Sequence, residues 1–305
     1  MAEDYPKTML ELERRFSEEA TCRSYLAALR WPEGFVCPKC SARKSLQIRR
    51  DLWRCLECRR EVSTTAGTVF QDSKLPLTLW FRAMWQITSQ KSGVSALGLQ
   101  RVLGLGSYKT AWSVLHKLRR AMIRPGRDRL RGIVEVDEAY WGGEEEGVRG
   151  RQTYEKALIA VAAEVAGQAL GRIRLRHIPD VTRKTLHGFI AEAIEPGCTI
   201  QTDGLQAYRE LQGYVHQRMV QHRQPADADH LLPRVHRVIS LLKRWLMGTH
   251  QGAVAPEYLQ DYLDEFTFRF NRRTSASRGK LFYRLAQQAV QVPPTTYDSL
   301  GHHNQ

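Results

Sequence analysis

Two C-x2-C pairs, Cys37-Pro38-Lys39-Cys40 and Cys55-Leu56-Glu57-Cys58, stand fourteen residues apart near the start of the chain. Each pair brings two thiolates within reach of one ion, and four sulfurs close a tetrahedral shell around zinc. The residues between alternate through Ser45-Leu46-Gln47-Ile48 and Leu52-Trp53-Arg54, as a small hairpin does. The spacing predicts a zinc ribbon with Cys37, Cys40, Cys55 and Cys58 as ligands. Its metal is structural, because an all-sulfur shell leaves no open position for a substrate. A redox pair is the weaker alternative, since thioredoxin-like motifs come singly beside a βαβ pattern. Cys22 and Cys198 have no partner spacing and read as buried structural cysteines.

Cysteines kept for metal fit a reducing compartment. No apolar run approaches the roughly 20 residues of a membrane span, and the polar stretch Met1 to Lys7 has no signal-peptide core. A cytoplasmic location without membrane contact is expected. The chain of 305 residues is long for a single core, and its 46 Lys plus Arg against 32 Asp plus Glu give a net charge of +14. That balance suits a polyanionic partner. The charge recurs at Arg119-Arg120, Arg124 to Arg131, Arg172-Arg174-Arg176 and Arg269 to Arg273. Scattered clusters of this kind fit a long nucleic-acid path better than one disordered arm.

Residues 8–31 read as one helix ended by Pro32-Glu33-Gly34. After the ribbon come three helical stretches: Leu75 to Thr88, Ser95 to Leu103, and Tyr108 to Met122. Gly104-Leu105-Gly106-Ser107 forms the last turn, with Ser107 as N-cap. The third stretch has a core stripe of Ala111, Trp112, Leu115 and Leu118. Its other side offers Lys109, Thr110, Ser113, His116, Lys117, Arg119 and Arg120. Two helices joined by a glycine turn, the second basic on one face, are helix-turn-helix-like. Lys109, Lys117, Arg119 and Arg120 are then the candidate DNA contacts. An ordinary helical hairpin is the plain alternative.

Past the linker Arg124-Pro125-Gly126-Arg127 the pattern changes to alternating strands and helices. Strands are predicted at Ile133 to Asp137, Ala157 to Val165, Arg172 to His177, Cys198 to Thr202 and His216 to Val220. Thr182 to Ile194 is a crossover helix. Asp137 and Asp203 each fall where a β-branched run is expected to meet a turn. Alone, each is an ordinary turn residue. On neighbouring strands their carboxylates could converge on a pair of divalent cations. The order of three strands, a helix, a fourth strand and more helix matches an RNase-H-like α/β domain, in which the first and fourth strands adjoin. A later helix, Leu231 to Met247, puts His236 and Lys243 on one polar side, about 20° apart after two turns. A solvated helix face is the plain alternative. Glu135, two residues before Asp137 and on the same strand face, could serve as an auxiliary acid.

These residues resemble the zinc-ribbon DDE-type transposases of bacterial insertion sequences. The resemblance runs from about Phe16 to Arg273. Its carriers are Arg30-Trp31-Pro32-Glu33-Gly34-Phe35-Val36 leading into Cys37, then Val136-Asp137-Glu138-Ala139-Tyr140-Trp141-Gly142-Gly143 and Thr202-Asp203-Gly204. Val235-His236-Arg237, Leu242-Lys243-Arg244-Trp245-Leu246, Gly248-Thr249-His250-Gln251-Gly252, Tyr262-Leu263-Asp264-Glu265-Phe266 and Phe268-Arg269-Phe270-Asn271-Arg272-Arg273 complete it. The resemblance implies an acidic triad followed by a lysine, with Asp137, Asp203, His236 and Lys243 at those catalytic positions. His236 stands where Glu is usual, giving a DDHK variant; Asn or His is also seen there in this family. It further implies Mg²⁺ or Mn²⁺ at Asp137, Asp203 and His236, and metal-dependent cleavage and strand transfer at terminal inverted repeats of double-stranded DNA. The DNA-bound state would be a homodimer or higher oligomer.

The expected layout is an N-terminal helix and zinc ribbon over 1–70 and a helix-turn-helix-like domain over 71–125. An RNase-H-like catalytic domain follows over 126–275, with a C-terminal helix and frayed tail over 276–305. Two rivals stay open. One is a non-catalytic DNA-binding regulator, a domesticated or inactive transposase. The other is a nuclease of the same fold without strand transfer.

Overall fold

The computed structural model describes residues 3–49, 51–124, 126–143, 156–219 and 231–300. The chain divides into two compact units, Met1–Arg124 with Thr274–Gln305, and Pro125–Arg273. Among the described residues no helix is long and apolar enough to cross a membrane.

In the first unit the single helix expected over 8–31 is two: α1 (Met9–Arg15) and α2 (Glu19–Arg30). The break falls at Phe16, whose buried ring meets Tyr25 at 4.9 Å and Phe81 at 4.7 Å between centroids. A continuous helix would carry that ring elsewhere, so tertiary packing overrides the local pattern. The ribbon adds a strand to the expected hairpin. Strands β1 (Ser45–Arg49), β2 (Leu52–Cys55) and β3 (Glu61–Ser63) form an antiparallel sheet with β2 in the middle. Then come α3 (Leu77–Ser89), α4 (Ala96–Leu103) and α5 (Tyr108–Arg120). Gly104 takes φ 62°, the left-handed cap that ends α4, and the Ser107 hydroxyl caps α5 by accepting from the Thr110 N–H at 3.1 Å.

The expected C-terminal helix starts at Arg278. It packs against α3, with Phe282 and Phe81 5.6 Å apart between centroids. The last described residue of the segment after it, Leu300, has its side chain buried; the rest of the predicted tail, 301–305, lies outside the described residues.

The second unit is a five-stranded sheet. Its strands are β4 (Ile133–Trp141), β5 (Ala157–Ala166), β6 (Ala169–Ile178), β7 (Thr199–Thr202) and β8 (Val215–Arg218), in the order β6-β5-β4-β7-β8. The first three pair antiparallel, and β4–β7 and β7–β8 pair parallel. Val220, the predicted end of the last strand, lies outside the described residues.

Helices cover both faces, so alternate residues of the central strand meet different neighbours. Val134 and Val136 join the core under α6 (Arg183–Ala193), with Leu186, Phe189 and Ile190. Ala139 and Trp141 join the opposite core under α7 (Pro233–His250) and α8 (Leu259–Phe270), with Val235, Leu242 and Phe266. Glu135 and Asp137 fall in the second set by alternation and therefore face α7. The open edge of β6 is covered by side chains. Asn271 accepts from the Ile173 N–H at 2.8 Å and donates to the Ile173 carbonyl at 3.1 Å, and Gln260 accepts from the His177 N–H at 2.9 Å. An edge capped in this way cannot pair with another strand.

Candidate functional site

β4 and β7 lie side by side with Ile133 opposite Thr199, Val134 opposite Ile200 and Glu135 opposite Gln201. The same offset, continued for two residues, sets Asp137 beside Asp203. The neighbouring strands expected for the two aspartates are therefore present. Asp137 does not end its strand, however. β4 continues to Trp141 through pairing with β5, as far as Trp141 opposite Ala157. What ends just before Asp137 is the pairing with β7, and this opens the carboxylate on that side. Asp203 follows the last residue of β7. Its Oδ1 accepts from the Leu205 N–H at 2.9 Å, a side-chain turn that fixes the loop.

His236 comes to the same place from α7. Its Nε2 lies 3.2 Å from Asp137 Oδ2. Asp137, Asp203 and His236 line one cavity of about 350 Å³ with Glu138, Tyr140, Met219, Leu231 and Leu232. Lys243 is not among them; it is exposed, two helical turns further along α7, roughly 10 Å on. Burial pushes the Asp137 carboxyl above its ordinary value and the charge of Asp203 adds to this. The Glu138 N–H, donating to Asp137 Oδ1 at 2.9 Å, and His236 oppose them.

Two further acids on β4 hold the surroundings in place. Glu135 is buried, and its Oε2 accepts from the N–H groups of Arg234 and Val235 at 2.7 and 2.9 Å, in the first turn of α7. It is an N-terminal cap supplied from another element, and it is not among the residues that line the cavity of Asp137, Asp203 and His236. Glu138 points to the opposite face. Its Oε2 accepts from the Tyr208 hydroxyl at 2.7 Å. Burial, with the Glu138 charge beside it, raises the Tyr208 phenol well above its ordinary value, so it stays a donor. Tyr208 lies five residues after Asp203, so this bond ties the Asp203 loop to β4. Of this the sequence showed only that Glu135 shares the strand face of Asp137.

The donor set suits a hard or borderline divalent cation. Two carboxylates and an imidazole converge, and burial, with the Asp203 charge adding to it, raises the cost of ionising Asp137, a cost that a bound cation would offset. The 3.2 Å between Nε2 and Oδ2 is close to the edge, about 3 Å, of an octahedron with 2.1 Å bonds. To ligate through Nε2, His236 must carry its proton on Nδ1. That atom is buried and has no hydrogen-bond partner among the described residues.

Asp137 also gives a stability prediction. A carboxyl whose value is raised on folding leaves stability untouched below the ordinary aspartate range and lowers it as pH rises through the folded value. Asp137→Asn is therefore expected to melt above metal-free wild type at neutral pH. The gap should close as pH falls toward about 3.9. Thermal melts in chelator across pH check this, with about 2–4 °C expected per kcal/mol. A wild type that melts higher at neutral pH would contradict it.

In the ribbon the four cysteine sulfurs all lie within 4.8 Å of one another, with Cys37–Cys58 at 3.5 Å and Cys40–Cys55 at 3.6 Å. A zinc tetrahedron with 2.3 Å bonds has edges of about 3.8 Å, so the set fits structural zinc. Among the described residues it is the one group of three or more Cys, His, Asp or Glu side chains this close together; the Asp137, Asp203 and His236 set is wider. Cys22 and Cys198 are buried, and burial lifts the Cys22 thiol to about 12.

The four candidate DNA contacts separate. Arg119 is 1% exposed and cannot reach a phosphate from there. It follows Leu115 by four residues, so helix geometry turns it toward the core stripe. Arg120 donates to the Ser299 carbonyl at 3.0 Å, and the Lys109 ammonium sits 3.9 Å over the Tyr297 ring. Lys117 is half-buried. The segment expected to fray thus lies along α5.

Residues 129–271 match the family model described as ISXO2-like transposase domain, and residues 17–61 match the Transposase zinc-ribbon domain. A relative described as "Uncharacterized protein in transposable element ISH50", from Halobacterium salinarum, is 26% identical over 281 residues, covering 84% of this chain and 92% of its own length. The resemblance to zinc-ribbon insertion-sequence transposases is borne out: the chain carries both domains in the expected order.

Proposed function

We propose that this chain, which carries a transposase zinc ribbon and an insertion-sequence transposase domain, binds the terminal inverted repeats of its element, cleaves a phosphodiester there and joins the freed 3′-hydroxyl to target DNA. One observation carries the proposal: Asp137 on β4 and Asp203, the residue just past the end of the parallel strand β7, continue one register and share a cavity with His236. The sheet order, with its first and fourth strands adjacent, supports the RNase-H-like reading of this unit.

Asp137 and Asp203 would hold the divalent cations, with His236 Nε2 as a third donor. When bound, such cations activate the attacking oxygen and neutralise charge on the departing one. The strand backbone keeps the two carboxylates side by side. The Tyr208–Glu138 bond keeps the Asp203 loop from swinging away. Lys243, exposed along α7, would meet a phosphate of bound DNA as a point charge. Lys109 and Lys117 on α5 would add backbone contacts in a helix-turn-helix arrangement, with Lys109 released from Tyr297. A pair of protomers would bring two repeat ends together.

His236→Ala is the sharpest test of the donor set. Cleavage of a terminal-repeat duplex should fall by about 10–100-fold or more, since even partners behind a metal ligand matter that much. Mn²⁺, the more tolerant of nitrogen donors, should support wild type at least as well as Mg²⁺. Lys243→Ala should also impair cleavage. Wild-type rates from His236→Ala in both metals would make His236 a bystander.

A further inference from the structure

We propose that Glu135 is a positioning residue, whose buried carboxylate fixes the first turn of α7 so that His236 meets Asp137. The inference rests on the reading of Asp137 and His236 as site residues given above. Beside the apolar core they share, β4 and α7 make two successive polar contacts. In the first, Glu135 Oε2 accepts from Arg234 N–H at 2.7 Å and Val235 N–H at 2.9 Å, and Arg234 Nη1 approaches Oε1 at 3.4 Å. In the second, two residues along the strand and one along the helix, Asp137 Oδ2 meets His236 Nε2 at 3.2 Å.

The helix has no side-chain cap of its own. Leu232 occupies the cap position and Pro233 the first turn, so the free N–H groups there need an outside acceptor. Glu135 is that acceptor, and at 1% exposure its charge is offset by the helix terminus and Arg234 rather than by water. Removing its charge should let the first turn fray. His236 lies in that turn, whereas the apolar residues Val238, Leu242 and Trp245 hold the rest of α7 on the sheet.

The test is Glu135→Gln in the full chain, which keeps volume and one acceptor oxygen; Glu135→Asp serves if Gln fails to fold. The first readout needs no metal. The His236 ring signals in NMR, identified by their absence in His236→Ala, should move when Asp137 is changed to Asn. In the Glu135→Gln background that response should fall by at least about half. The second readout is Mn²⁺ binding followed by electron paramagnetic resonance. Affinity should drop by about 10–100-fold in Glu135→Gln, as for other residues that orient a ligand. In a His236→Ala background the same change should cost almost nothing.

An undiminished NMR response in Glu135→Gln overturns the proposal. So does an equal loss of Mn²⁺ affinity with and without His236, since that marks a general effect on the fold. Wild type binding Mn²⁺ no better than Asp137→Ala would instead refute the metal reading, with the metal-free NMR result still deciding the role of Glu135.

Discussion

Asp137→Ala and Asp203→Ala are each expected to lower cleavage of a terminal-repeat duplex by more than about 100-fold, because loss of a ligand should exceed the 10–100-fold cost of losing a residue behind it. Specific binding should remain within a few-fold of wild type. Neither aspartate is a basic contact, and each sits in a cavity whose walls are held by other bonds. The Glu135 cap fixes α7, and Tyr208 holds the Asp203 loop through Glu138. The expected gain in metal-free stability for Asp137→Asn points the same way: the native state tolerates a carboxylate it would hold more easily neutral, as sites kept for function often do. Gel-shift and cleavage assays on one preparation check the separation. A variant that neither binds nor cleaves would assign Asp137 or Asp203 to the fold. A variant that cleaves normally with divalent metal would remove it from the chemistry.

Cys55→Ser should unfold the ribbon. The sheet there has three short strands and a core of little more than Phe35, Cys37, Cys55 and Val62. So small a core is not self-sufficient, and the free energy of binding structural zinc, about 10–16 kcal/mol in isolated fingers, dominates its stability. Wild type purified without chelator should hold one zinc per chain, and the variant none. Near-ultraviolet signals of Trp31 and Trp53, whose rings meet at 4.9 Å between centroids, should be lost. Repeat-end binding should weaken with them. The strands of the second unit share no residue with the ribbon and should keep their structure. A folded ribbon free of zinc would sink the assignment.

The parts legible in the sequence are those whose chemistry is local. The cysteine spacing is a property of two short turns, and the ribbon follows from it. Asp137 and Asp203 stand out because alternating apolar strands lead into them, and Ser107 because a cap needs only its own next turn. What the sequence hid depends on distant partners. The extension of β4 to Trp141 comes from pairing with β5, which outweighs the turn-like look of Asp137-Glu138. Arg119 reads as surface by its charge, although its four-residue offset from Leu115 already places it beside the core stripe. The break at Phe16 carries no proline or glycine and is set by the aromatic cluster it enters. The role of Glu135 needs α7, about a hundred residues later in the chain, and no local pattern announces it.

The most direct measurement uses wild-type protein, a duplex ending in the terminal repeat that flanks its gene, and a second duplex as target. With Mg²⁺ or Mn²⁺ present, a strand should be cut at the repeat end to leave a 3′-hydroxyl, and that end should appear joined to the target. Both products should vanish in chelator. Specific binding without any cut would contradict the account and favour a DNA-binding regulator, while cutting without joining would make the protein a nuclease on this fold.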